Sequence, residues 1–261
     1  GSSIFFITIY SYVKPVILEE AYDLNQKRAN RILGGMMWMR LGSGRVQTAI
    51  DLSGMGLDQI EESEEEFKIG CMCTLRQLEL HKGINQYTDG AVRECVRHIV
   101  GVQFRNQATV GGSIFGRFGF SDVLTCFLAM DCYVELYKGG IVPLREFVCQ
   151  KRDRDILVNV IIRKDVRKIR YVSSRRTKTD FPVIACGVAK AGEEWQVSVG
   201  ARPMKAVLVT EKADERNAAE IAEKLTEQVT FGSNMRGSSE YRKALAKVLI
   251  RRQIEALMEE C

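Results

Sequence analysis

Histidine is nearly missing from this 261-residue chain: His81 and His98 are its only two. No cysteine pair has Cys-x-x-Cys spacing, so the tight repeated pattern of a zinc or iron–sulfur site is absent. No Gly-x-Gly-x-x-Gly follows a strand and no Gly-x-x-x-x-Gly-Lys-[Ser/Thr] occurs, which excludes a Rossmann fingerprint and a P-loop. The longest apolar run near the start, Ile4-Phe5-Phe6-Ile7 with Thr8-Ile9-Tyr10, falls far short of the roughly 20 residues a bilayer span needs. With no basic n-region or small-residue cleavage site, it reads as a strand rather than a leader. Gly1-Ser2-Ser3 reads as a cloning remnant. Only four prolines occur, and 46% apolar with 27% charged residues excludes a disordered, collagen-like or coiled-coil chain.

Eight cysteines are present. Cys71 and Cys73 form the one close pair, placed by i, i+2 spacing on one face of a strand. Others lie inside apolar stretches such as Thr125-Cys126-Phe127, where a thiol behaves as a small hydrophobe. Free structural cysteines and no secretion leader point to a reducing cytoplasm.

The first half mixes short elements. Strands are expected at 4–10, 31–33, 48–52 and 67–71, and helices at 17–28, 74–81 and 90–100. Ser121-Asp122 stands at the start of an apolar helix over 123–130, and Gly139-Gly140 turns a hairpin of 132–137 with 141–142. Strands at 156–162, 169–174, 183–191 and 195–201 then lead to helices at 214–229 and 239–258. In the last helix Tyr241, Leu245, Val248 and Leu249 share an apolar face. A strand meander followed by helices is an α+β arrangement, and the boundary falls near 165, giving units 1–165 and 166–261.

The net charge of +5 is too small and too spread to indicate nucleic acid. Yet Lys151–Lys178 holds eleven Lys/Arg against three Asp. Such a stretch can dock a phosphate or an acidic partner, or it can be a set of solvated strand edges guarded by cations.

Two glycine pairs carry the chemistry. Leu33-Gly34-Gly35-Met36-Met37-Trp38 leaves a strand, and Thr109-Val110-Gly111-Gly112-Ser113 precedes a Gly/Phe-rich loop. Glycine lets backbone N–H groups approach a pyrophosphate with no Cβ in the way. Each pair taken alone is weak evidence, since most such pairs are simple turns.

In their order, Gly34-Gly35, Asp51-Leu52-Ser53, Thr74-Leu75, Arg105-Asn106-Gln107-Ala108-Thr109-Val110-Gly111-Gly112, Ser121-Asp122 and Arg236-Gly237-Ser238-Ser239-Glu240-Tyr241-Arg242 resemble the FAD-binding medium subunit of molybdenum hydroxylases, the xanthine dehydrogenase and carbon monoxide dehydrogenase family. The resemblance runs along essentially the whole chain. It implies a two-subdomain FAD-binding domain of the vanillyl-alcohol-oxidase/PCMH type, followed by a smaller C-terminal α+β domain. It implies non-covalent FAD held by Arg31, Ile32, Leu33, Gly34, Gly35, Met36, Met37 and Trp38 at the first glycine loop. Thr109, Val110, Gly111, Gly112 and Ser113 would contact the cofactor from the second. Asp122 would hold a sugar hydroxyl, Ile99 and Phe115 would lie near the flavin, and Ile156 and Tyr171 would close the site. No catalytic side chain or metal ligand is expected on this chain.

The resemblance also implies a large molybdopterin subunit and a small 2Fe-2S subunit as partners, with NAD+ or another acceptor taking the electrons. Ser113 stands where the family commonly has Asn, and Gly116-Arg117-Phe118-Gly119-Phe120 replaces its Ser-Pro turn. A self-sufficient flavin oxidoreductase and a non-enzymatic interaction module remain the alternatives. Activity without a partner subunit would mark the former, and absence of FAD binding the latter. Gly34→Val and Gly111→Val are expected to abolish FAD retention in a folded chain.

Overall fold

The computed structural model describes residues 8–33, 45–99, 101–177 and 181–260. Chain order begins with β1 (Thr8–Val13), α1 (Leu18–Asn25), β2 (Arg31–Ile32) and β3 (Arg45–Ile50). These strands form a parallel sheet in the order β1-β3-β2. The strand expected at 48–52 therefore starts and stops earlier. Asp51 ends it by accepting the Ser53 N–H at 2.9 Å, which starts a 3-10 turn over Leu52–Met55.

A second sheet is antiparallel. It is built from β4 (Ile60–Glu62), β5 (Glu66–Gly70), β6 (Cys132–Leu136), β7 (Gly140–Pro143) and β8 (Leu157–Arg163), in the order β4-β5-β8-β6-β7. Between β5 and β6 run short helices: α2 (Leu75–Leu80), α3 (Lys82–Tyr87), α4 (Ala91–Val96), α5 (Val102–Arg105), α6 (Val110–Phe115) and α7 (Asp122–Leu128). The sequence caps them as expected. Thr74 and Gln77 form a reciprocal capping box on α2, and Ser121 accepts the Leu124 N–H at the start of α7. Helix α8 (Leu144–Phe147) follows β7.

The last unit is a meander of β9 (Lys168–Ser174), β10 (Ile184–Ala191), β11 (Glu194–Gly200) and β12 (Val207–Lys212), with α9 (Ala218–Glu227) and α10 (Ser239–Glu259). Strand β12 has no counterpart among the sequence expectations, although Val207-Leu208-Val209-Thr210 is a β-rich run. The face of α10 is also corrected. Its buried residues are Arg242, Ala246, Leu249, Ile250, Ile254 and Leu257, while Tyr241 and Val248 are exposed. The inner face begins on an arginine, so apolar periodicity alone misplaces it by about one residue. Fully buried Arg242 donates to the carbonyls of Val183 (2.9 Å), Gly232 (3.1 Å) and Gly237 and to Asn234 Oδ1 (2.5 Å), holding the loop before the helix.

The C-terminal sheet is covered on both sides. Ile184, Cys186 and Val188 of β10 join the core under α9 and α10, and Ala185 and Ala189 join the larger core containing α4 and α7. Alternation of side chains along a strand assigns the two faces. The face toward α7 is made of small residues for a geometric reason. A Cβ on Gly187 would stand 2.6 Å from Ser198 Oγ and 2.9 Å from Ala129 Cβ. Ser198 seals the contact by donating to Thr125 O of α7 at 2.6 Å and accepting the Gly187 N–H at 3.1 Å.

The connection between β8 and β9 is pinned as well. Arg167 is bidentate to Asp165 and donates to Ala129 O (2.8 Å) and Gln196 Oε1 (3.0 Å). Gly187→Val is expected to destabilise the chain by about 3 kcal/mol through overpacking at this seam. Urea unfolding measures it, and wild-type stability would show that the seam yields freely.

Candidate active site: a glycine-walled cleft rimmed by arginine

A cleft of about 360 Å³ opens between the parallel sheet and the antiparallel one. Such a volume is in the range of small-molecule sites. One wall is the end of α1 and strand β2, with Asn25, Asn30, Arg31, Ile32 and Leu33. Another is the Cys71-Met72 turn after β5 together with Thr109, Gly111, Gly112, Phe115, Gly116 and Phe118. Residues 152–157, leading into β8, close the third side, and Leu52 adds apolar surface. The wall is mostly apolar with guanidinium groups at its edge, which suits a ligand that joins a planar ring to an anionic linker.

The structure thus brings Arg31, Ile32, Leu33, Thr109, Gly111, Gly112, Phe115 and Ile156 to one cleft. Gly34, Gly35, Met36, Met37 and Trp38 lie outside the described residues. The other expected positions are placed elsewhere. Val110 is fully buried in the core, Ser113 is buried, and Ile99 sits at the core's edge with its carbonyl taken by Arg105.

The second glycine pair is not a loop. Thr109 caps α6 and both glycines are helical. Every N–H of that first turn is already used. Val110 donates to Cys73 O (2.8 Å), Gly111 to Cys71 O (2.9 Å), Gly112 to Thr109 Oγ1 (3.1 Å) and Ser113 to Thr109 O (3.1 Å). In this arrangement the glycines give the cleft a wall without side chains. A Cβ on Gly111 would stand 2.9 Å from both Cys71 Cβ and Cys71 O. Gly111→Val is thus expected to disturb folding itself, which removes it as a clean probe of the cleft.

Asp122 stands apart from the lining of the cleft. It is buried, its carboxylate accepts from the Tyr171 hydroxyl and the Arg175 guanidinium, and neither it nor Tyr171 lines the cleft. Burial pushes the Asp122 carboxyl up against the pull of Arg175 and Tyr171, and the Tyr171 hydroxyl well above its ordinary value. The group links α7 to β9 and so fastens the two units together.

Cysteines and histidines play structural parts. Cys71 and Cys73 stand in the turn after β5 rather than along a strand, and burial pushes their thiols up to about 12 and about 11. The Cys71 beside the cleft is thus a neutral hydrophobe. His81 accepts the Ile84 N–H at 3.0 Å as the cap of α3, and His98 lies 3.8 Å from Glu94. Among the described residues no group of three His, Cys, Asp or Glu is placed to hold a metal, and no helix is long and apolar enough to cross a membrane.

Several lining residues escaped the sequence reading: Asn25, Asn30, Leu52, Met72, Phe118 and the 152–155 segment. The one signal for them was the excess of cations after Lys151, which contains Arg152 and Arg154.

Fold and cleft together define an α+β protein of the FAD-binding type with a C-terminal α+β domain. Residues 8–164 match the family described as the FAD binding domain in molybdopterin dehydrogenase, and residues 170–257 match the CO dehydrogenase flavoprotein C-terminal domain. The chain belongs to that molybdopterin dehydrogenase FAD-binding family, whose members are oxidoreductase subunits. It is 22% identical over 248 residues to the uncharacterized protein YgfM of Escherichia coli K12, covering 93% of this chain and 94% of that protein. It is 24% identical over 272 residues to the nicotine 6-hydroxylase medium subunit of Paenarthrobacter nicotinovorans, covering 93% and 95%. In structure it is similar to a chain of carbon monoxide dehydrogenase from Hydrogenophaga pseudoflava, with TM-score 0.84, 19% identity and 98% and 99% coverage. Quinoline 2-oxidoreductase from Pseudomonas putida 86 gives TM-score 0.80, 20% identity and 95% coverage of each chain.

Two measurements check the site. Asp122→Ala leaves Arg175 buried without its carboxylate and is expected to cost about 3 kcal/mol of stability. Wild-type stability with weakened flavin retention would instead return Asp122 to the cofactor. Among the described cysteines only Cys149 is exposed. In a Cys261→Ser background one thiol is expected to react rapidly with a disulfide reagent before unfolding, and rapid reaction of a second would contradict the packing around the others.

Proposed function

We propose that this chain is the FAD-carrying electron-transfer subunit of a molybdenum hydroxylase. On this reading it works with a large molybdopterin subunit and a small 2Fe-2S subunit, and delivers electrons to NAD+ or another acceptor. The observation that carries the reading is the coincidence of the family match along the chain with an apolar, glycine-walled and arginine-rimmed cleft.

The residues present fit the cofactor. Ile32, Leu33, Phe115, Ile156 and Leu157 give it apolar surface, Gly111 and Gly112 allow it to lie close to the backbone of α6, and Arg31 and Arg154 offer positive charge. Bound FAD supplies the redox chemistry, since its ring accepts electrons singly or in pairs. This chain's part is to bind and orient it. The cleft's apolar walls exclude water, and its buried thiol stays protonated, which favours a non-covalent cofactor. No side chain of the cleft is needed as a general base.

The visible spectrum of the purified protein, followed by mass spectrometry of the heat-released chromophore, tests the reading. Paired flavin bands and released FAD are expected. A colourless protein that takes up no added FAD overturns it. Isolation from native cells as a lone monomer with full dehydrogenase activity would overturn the partner assignment.

A further inference from the structure

One residue beside the cleft combines three properties seldom found together: a left-handed backbone, burial and a charge. Arg117 follows α6 with φ of 52°, a conformation that glycine adopts freely and a residue with a Cβ does not. It is only 6% exposed. Its Nε donates to Phe147 O at 2.9 Å and its Nη1 to Phe115 O at 3.2 Å. The guanidinium carbon lies 3.7 Å from the centre of the Phe147 ring and 5.3 Å from that of Phe115. The two rings stand 6.3 Å apart and are tilted by 48°. Phe115 lines the cleft, and Arg117, packed on it, does not.

The hydrogen-bond partners of this guanidinium are neutral carbonyls, and among the described residues no carboxylate comes within 4.0 Å of it. Asp153 is the acid whose field reaches it, and that carboxylate accepts the Asp155 N–H at 3.0 Å. Burial pulls the guanidinium below its ordinary value, Asp153 opposes the pull and Arg152 adds to it. An arginine nonetheless stays charged at every working pH. Packing alone does not call for such a residue. Glycine would make the turn without strain, and an apolar side chain would fill the space between two phenylalanines. Strained positions of this kind persist where the surroundings over-determine them, and they gather at functional sites. A buried charge is also screened far less than one in water.

We propose that Arg117 is a positioning residue that sets the Phe115 wall and places a positive charge behind it, so that the cleft holds the reduced, negatively charged flavin ring more tightly than the oxidised ring. This rests on the reading of the cleft as the FAD site and adds the direction in which the protein shifts the cofactor's potential. Uptake of two electrons and one proton leaves one negative charge on the ring. A nearby cation favours that charge, and a neutral wall does not. The consequence is a raised midpoint potential, which draws electrons onto this chain and weakens the drive to hand them on. Cation–π contact with both rings and the bond to Phe115 O fix the wall and the charge as one unit.

Reductive titration of the purified full chain with dithionite, beside an indicator dye, gives the midpoint potential of bound FAD and tests this. Arg117→Gln keeps a donor for the carbonyls and the same backbone strain but removes the charge. It is expected to lower the preference for reduced over oxidised FAD by about tenfold, a shift of about 30 mV to more negative potential for a two-electron couple. Arg117→Lys keeps the charge and is expected to keep most of the wild-type potential. A wild-type potential in a folded, flavin-loaded Arg117→Gln variant overturns the proposal. An equal shift in the Gln and Lys variants also overturns it, because it would mark a purely structural part. Should Arg117→Gln retain no flavin, Arg117→Gly, relaxed at this φ, takes its place with the same expected shift, and loss of flavin from both overturns the proposal as well. In each of these outcomes the wild-type chain still carries FAD, so the reading of the cleft stands. A wild-type chain that takes up no FAD removes both.

Discussion

The close seating of α7 on the small-residue face of the C-terminal sheet is the contact on which the rest of the molecule depends. Gly187, Gly200, Ala185 and Ala189 let the helix approach until Ser198 bonds directly to the carbonyl of Thr125. A buried seam of this kind has no slack, because interiors are packed as densely as organic crystals. It fixes α7, and with it Ser121, whose hydroxyl donates to Ser113 O at the end of α6. Helix α6 then presents Gly111 and Gly112 to the cleft. The cleft wall is thus set by contacts made on the opposite side of the helical layer.

Buried charges reinforce the same layer. Asp122, Tyr171 and Arg175 tie α7 to β9, and Arg105 reaches Glu79 at 3.1 Å with both side chains buried. Asp122 and Arg105 belong to the strings that carry the family resemblance, as does Arg242 in the C-terminal loop clamp. Removing one partner from such a buried pair is costly, whereas the intact pair adds little net stability. Their visible part is geometric: they hold loops and helices in register around the cleft.

Much of the fold was legible in the sequence. Alternating apolar residues gave the hairpin of β6 and β7 and most of the meander, and Ser121 announced the start of α7 as the cap it is. The motif strings gave the family. What failed did so for stated reasons. Gly111-Gly112 has poor helix propensity, so it reads as a loop, yet Thr109 and the Cys71-Cys73 turn hold it in helical form. The face of α10 was misread because an arginine occupies a core position. The partners of Asp122, Tyr171 and Arg175, come about fifty positions later, and nothing local marks them. The pairing of Arg31 with Arg154 is hidden in the same way, since only the third dimension brings β2 beside the approach to β8.

The doubly covered C-terminal sheet has a consequence for how such chains can be recombined. One face of β10 belongs to the helices that follow it and the other to helices encoded before residue 130. A join placed between residues 163 and 168 looks neutral on the map of strands, because it divides two sheets. In three dimensions it separates the two halves of a fitted surface. A chimaera that borrows residues 168–260 from a relative would inherit a sheet face shaped for another helix, so the exchange succeeds only if the α7 segment travels with it.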